Sequence, residues 1–83
     1  MTILIGKIEA IEDKSFNKKV KNLLTLKSID NQTAFIEFRG VLKNVIEKFR
    51  VGDQIEVALS FDGKKSNSGT HYNNLVAKSV HKI

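Results

Sequence analysis

Residues 3–11, Ile3-Leu-Ile-Gly-Lys-Ile-Glu-Ala-Ile11, carry apolar side chains on both faces around Gly6. A long, bent first strand with glycine at a bulge or bend has this pattern. Residues 12–19 are polar and charged, a loop that holds Phe16. Val20 to Ile29 predicts a second strand, Asp30-Asn31-Gln32 a turn, and Thr33 to Arg39 a third strand. Beyond Gly40 the apolar positions become Val41, Leu42, Val45, Ile46 and Phe49. This i, i+1, i+4, i+5, i+8 stripe predicts a helix over 41–49. Val51-Gly52-Asp53 ends it in a turn for which glycine supplies the positive φ. Gln54 to Phe61 returns to period two, with Ile55, Val57, Leu59 and Phe61 on one face. A polar loop of ten residues, Asp62 to His71, then leads to a fifth strand from Tyr72 to His81.

Three strands, a short helix and two strands joined by a basic hairpin loop match a five-stranded Greek-key barrel of the OB-fold type, an all-β class. The helix then plugs the open bottom of the barrel. An SH3-like barrel or a small α+β sheet places a lone helix here less well. No repeat or linker divides the chain, so residues 1–83 form one domain.

Composition narrows the chemistry. With 83 residues and 41% hydrophobic positions the core is small, and zero cysteines remove disulfides, thiolate zinc ligation and a cysteine nucleophile. No apolar run approaches a membrane span and the first residues carry no basic leader, which predicts a soluble, cytoplasmic protein. Fourteen Lys+Arg against nine Asp+Glu give a net charge of +5, a surface that attracts polyanions. The lysines concentrate at 14–27, and at 64–82 together with His71 and His81.

Catalysis finds little footing. The two histidines stand ten residues apart, which is no metal-ligand spacing, and no cofactor is expected. Gly63-Lys64-Lys65-Ser66 lacks the first glycine and the Lys-Ser/Thr order of a phosphate-binding loop and lies in a hairpin. Glu9, Glu12 and Asp13 read as a solvated strand end.

Single-stranded nucleic acid needs cations along its backbone and flat side chains on which bases stack. In the third strand, alternation turns Phe35 outward with Thr33, Glu37 and Arg39. Phe35 beside Arg39 is a stacking platform or, equally, a residue covered by an assembly interface or by folded-over loops. Tyr72, at the start of the fifth strand, either meets a base or hydrogen-bonds at the barrel rim. Phe16 lies among Lys14, Lys18 and Lys19, and it either stacks or anchors its loop on the barrel. Lys18, Lys19, Lys21, Lys64 and Lys65 are the candidate phosphate contacts, each individually also readable as a solvated lysine. Asn67, Asn73 and Asn74 could hydrogen-bond base edges or sugars, although asparagine in a β-hairpin more often serves the turn. Phe38, Phe49 and Phe61 fit core positions.

The run Val41…Phe49-Arg50-Val51-Gly52-Asp53-Gln54-Ile55-Glu56-Val57, then Asn67-Ser68-Gly69-Thr70-His71-Tyr72-Asn73-Asn74, resembles a family of small OB-fold proteins of bacteria and phages related to single-stranded DNA-binding proteins. The likeness extends back to Gly6-Lys7-Ile8. It implies single-stranded DNA binding across strands two and three and the loops joining strands one to two and four to five. The chain departs from bacterial single-stranded DNA-binding proteins in having no tryptophan and in ending Val80-His81-Lys82-Ile83, where those proteins carry an acidic tip. The expected partner is single-stranded DNA, with RNA as a variant. A homo-oligomer, dimer or higher, would lengthen the binding track, while a pure assembly module is the competing class.

Overall fold

The computed structural model describes residues 2–83, apart from the side chains of Lys64, His71 and Tyr72. Its elements are β1 (Thr2–Asp13), β2 (Lys21–Ser28), β3 (Thr33–Arg39), α1 (Val41–Ile46), β4 (Gln54–Lys65) and β5 (His71–Lys82). The strands close into a barrel in the order β1-β2-β3-β5-β4, the OB-fold arrangement.

β1 serves two neighbours, which explains its apolar residues on both faces. Its first half, Thr2 to Lys7, pairs with β4, and its second half, Gly6 to Asp13, pairs with β2. Gly6 belongs to both ladders, and a Cβ there would lie 2.3 Å from the Lys27 carbonyl oxygen. Only glycine allows that backbone approach. The bulge itself falls at Glu9, between Ile8 and Ala10, and not at the glycine. It advances the pleat by one residue, so that Ile11 pairs with Leu24 on the inner side although Ile3 and Ile5 point outward. A second shift, between Ala58 and Leu59 of β4 against Ser79 and Ala77 of β5, inserts Lys78 and turns both Ala77 and Val80 inward.

Ile8, Leu24, Leu26, Ile36, Phe38, Ile46, Ile55, Val57 and Leu59 fill the interior. Each such side chain contributes about 1.5–3 kcal/mol by leaving water. α1 presents Ile46 to this core, and Leu42, Val45 and Phe49 pack beside it. The helix is shorter than its apolar stripe. After Glu47 its hydrogen bonds tighten, Lys48 N–H to Val45 O and Phe49 N–H to Ile46 O, and this tighter turn brings Phe49 to the barrel. Val41 belongs to the stripe by spacing yet stays exposed. The following turn carries Gly52 at φ 98 and docks on β1 through Gly52 N–H to Ile8 O and Ile8 N–H to Asp53 O.

Two hairpins reach beyond the barrel and make the molecule 40 Å long but only 21 Å thick. The β4–β5 ladder runs on to Lys65↔His71, so the expected ten-residue loop shrinks to Ser66–Thr70. Ser66 closes that loop, donating its N–H to Thr70 O and accepting from Thr70 N–H at its Oγ. The β1–β2 connection is likewise a hairpin extension: Lys14 N–H reaches Lys21 O, and Phe16 and Lys19 exchange both backbone hydrogen bonds.

Phe61 requires a correction. It is in phase with Val57 and Leu59, as alternation predicts, but β1 stops opposite Leu59, and beyond it β4 pairs with β5 alone among the described residues. Phe61 is therefore an exposed aromatic, 64% accessible, and not a core residue.

Candidate nucleic-acid interface

Outward residues of β2 and β3 alternate with the buried ones, and register brings Lys21 opposite Arg39, Leu23 opposite Glu37 and Thr25 opposite Phe35. Phe35 is 59% exposed at the centre of this face. Beside it Glu37 is nearly buried, held by two cations: Arg39 Nε donates to Glu37 Oε1 at 3.1 Å and Lys21 Nζ to the same oxygen at 3.4 Å. Arg39 also reaches Asp62 Oδ2 across β5 at 3.4 Å. Burial alone would push the Glu37 carboxyl up. The hydrogen bond and charge of Arg39, and then of Lys21, outweigh it and hold the group below the ordinary carboxylate value. Arg39 is correspondingly raised, first by its hydrogen bond to Glu37.

Above this network the β1–β2 hairpin places Phe16 at its tip, 73% exposed, with Asn17 in the left-handed region at φ 55. The ring does not anchor the hairpin on the barrel. Lys18 and Lys19 beside it are exposed, and no ion pair holds either among the described residues. Together with Lys21 and Arg39 they line a hollow of about 540 Å³ whose far wall is Asn74. Lys14 is tied to Glu12 at 3.0 Å, and Asp13 accepts Ser15 N–H at 2.8 Å. These bonds from Ser15, backbone first and then side chain, together with Lys43, lower the Asp13 carboxyl. Lys43 Nζ bridges Asp13 at 3.6 Å and Glu47 at 3.1 Å, clamping α1 to the hairpin's root.

A second hollow, of about 330 Å³, opens where β3 and β5 diverge. Their parallel ladder has only two pairs, Ile36↔Leu75 and Glu37↔Val76. Thr33, Ala34 and Phe35 stand on one side of the notch and Asn73, Asn74 and Leu75 on the other, with Leu23 and Glu37 completing it. The structure thus brings Phe35, Arg39, Lys21, Lys18 and Lys19 onto one side of the barrel. Lys65 is exposed near the tip of the other hairpin. The side chains of Lys64 and Tyr72 lie outside the described residues, although their backbones pair in the β4–β5 ladder.

The sequence did not single out Glu37, Leu23 or Phe61 as part of a site. Glu37 was signalled by its outward phase between two cations. Phe61 carried no signal of its exposure, since its spacing matches the core period. Asn73 and Asn74 serve the notch and not the hairpin turn, since the turn is confined to Ser66–Thr70.

Toward the other end of β2 from Lys21 the surface differs in character. Ile5, Ile29 and Ile83, all exposed, surround a hollow of about 550 Å³ fringed by Lys7, Glu9 and Lys27. No group of three His, Cys, Asp or Glu suited to a metal occurs among the described residues, and no helix among them is long and apolar enough to cross a membrane.

No family model matches the chain, and no curated protein matches it. Among solved structures it is similar to the mitochondrial single-stranded DNA-binding protein Rim1 of S. cerevisiae, with 17% identity and a TM-score of 0.54 over 99% of this chain and 92% of that one. At that identity the likeness extends to the fold, a five-stranded OB barrel shared along nearly the whole length of both chains.

Proposed function

We propose that this protein is a non-enzymatic, largely sequence-independent single-stranded DNA-binding module related to the single-stranded DNA-binding proteins. The observation that carries the reading is the coincidence of exposed rings, Phe35 and Phe16, with Lys18 and Lys19, exposed lysines that no carboxylate pairs among the described residues. Bases stack on Phe35, and on Phe16 at the hairpin tip, while Lys18, Lys19, Lys21 and, from the other hairpin, Lys64 and Lys65 follow the phosphates. Tyr72, whose side chain lies outside the described residues, is the further stacking residue expected from the sequence. Arg39 orders Glu37 and Asp62 and offers its remaining charge to the strand. The fold it shares with Rim1 is compatible with this use.

Fluorescence anisotropy with labelled oligo-dT and a duplex of equal length tests the reading. Preference for the single strand is expected, with log affinity falling against log salt by roughly 0.7 per phosphate contacted. Equal, weak binding to both would reduce the site to a basic surface. Oligo-U in the same titration separates DNA from RNA use, since only RNA carries the 2′-hydroxyl.

A second reading, self-association, has its own observation. The apolar patch of Ile5, Ile29 and Ile83 joins β1, the β2–β3 turn and the C-terminal residue, at the other end of β2 from Lys21, and suits a second copy of the chain.

A further inference from the structure

We infer that the notch between β3 and β5 is a base-reading subsite, in which the second carboxylate oxygen of Glu37 accepts a hydrogen bond from the exocyclic amino group of a base stacked on Phe35. The inference rests on the single-strand reading and refines it, adding a preference to a largely sequence-tolerant track.

Three observations place the subsite. Phe35 and Glu37 are two residues apart on the same outward face of β3, about 7 Å, so a base lying on the ring extends its edge toward the carboxylate. Both cations that hold Glu37 engage Oε1, Arg39 Nε at 3.1 Å and Lys21 Nζ at 3.4 Å, and Oε2 has no partner among the described residues. The carboxylate is thereby fixed in position with one acceptor left open. The hollow of about 330 Å³ beside it has an aromatic and an aliphatic wall, Phe35 and Leu23, with amides from Asn73 and Asn74 opposite. A flat heterocycle with a polar edge fits this lining.

An acceptor that carries no proton discriminates by chemistry. The cytosine N4 amino group donates to it, whereas the thymine O4 at the equivalent position is itself an acceptor and faces it with repulsion. The low position of the Glu37 ionisation keeps the acceptor charged near neutral pH. Phosphate is excluded from the notch by the same charge, which leaves the backbone to the lysines of the hairpin.

The experiment compares oligo-dC and oligo-dT of about 16 nucleotides, the upper range for one OB fold, in slightly alkaline buffer where cytosine stays unprotonated. Wild type is expected to bind dC about tenfold more tightly than dT, the effect of one hydrogen bond to a charged group. Glu37→Gln, which keeps the size of the side chain but adds a donor, is expected to bring that ratio to one or invert it. The ratio is the readout because the added positive balance strengthens both complexes alike. Equal affinities for dC and dT in the wild type would overturn the subsite while leaving single-strand binding intact, as would an unchanged ratio in Glu37→Gln. Binding of neither oligonucleotide would overturn the single-strand reading itself, and the subsite with it.

Discussion

Phe35 shows how phase alone leaves an aromatic ring exposed. It pairs with Thr25 and stands opposite in direction to Ile36 and Ala34, so a ring of the size that usually fills a core is left in solvent. Phe35→Ala is expected to weaken oligo-dT binding by about 1–3 kcal/mol, the loss of one stacked base, with no drop in melting temperature. Titration of the variant together with its thermal denaturation checks this. A drop in stability with unchanged affinity would make the ring structural. Gly6 gains its role from contact, because an added Cβ meets the backbone of Lys27 and not a side chain that could move aside. Gly6→Ala should therefore cost about 2–3 kcal/mol, measured by urea denaturation. A neutral result would mean that β1 shifts freely between its two ladders.

At the scale of elements, strand positions, the lone helix and the Val51-Gly52-Asp53 turn were legible because each rests on local chemistry: a two- or four-residue period, or a glycine at positive φ. The extents of elements were not. Phe61 follows the core period past the end of β1, and Val41 follows the helical stripe yet stays exposed. Phe16 was ambiguous because its loop is a hairpin closed by backbone hydrogen bonds, which leave no trace in side-chain pattern. The outward phase of Phe35, Glu37 and Arg39 was legible, but the sharing of Glu37 Oε1 by two cations and the notch beside it depend on how β3 and β5 diverge. The hairpin's root is also where acid should act. Asp13 and Glu37 both ionise below their ordinary values when folded. Their contribution to stability is thus complete above the ordinary carboxylate range and is lost as the pH falls through the lowered values. The melting temperature should hold from pH 7 to about 4.5, the ordinary glutamate value, and decline below it, with a shallower decline in Glu37→Gln. An identical decline in that variant would remove Glu37 from the acid response.

As a whole molecule, the barrel separates two surfaces. One side gathers Lys18, Lys19, Lys21 and Arg39 around Glu37, and another exposes Ile5, Ile29 and Ile83. On the proposed self-association, a second copy packs on the isoleucines, at the other end of β2 from Lys21. Ile5→Glu should then yield monomer in sedimentation velocity at concentrations where wild type is dimeric or larger, with the fold retained. Monomer in the wild type at tens of micromolar would leave the patch without a second copy as its occupant.

The placement of single-stranded DNA on the β2–β3 face and the two hairpins is tested most directly by amide proton–nitrogen spectra of the labelled protein titrated with oligo-dT. Shifts concentrated at Phe16–Lys21, Phe35–Arg39 and the Lys65–Asn74 segment, with Ile5, Ile29 and Ile83 unmoved, are predicted. Shifts centred on the isoleucine surface, or none at saturating oligonucleotide, would contradict the account.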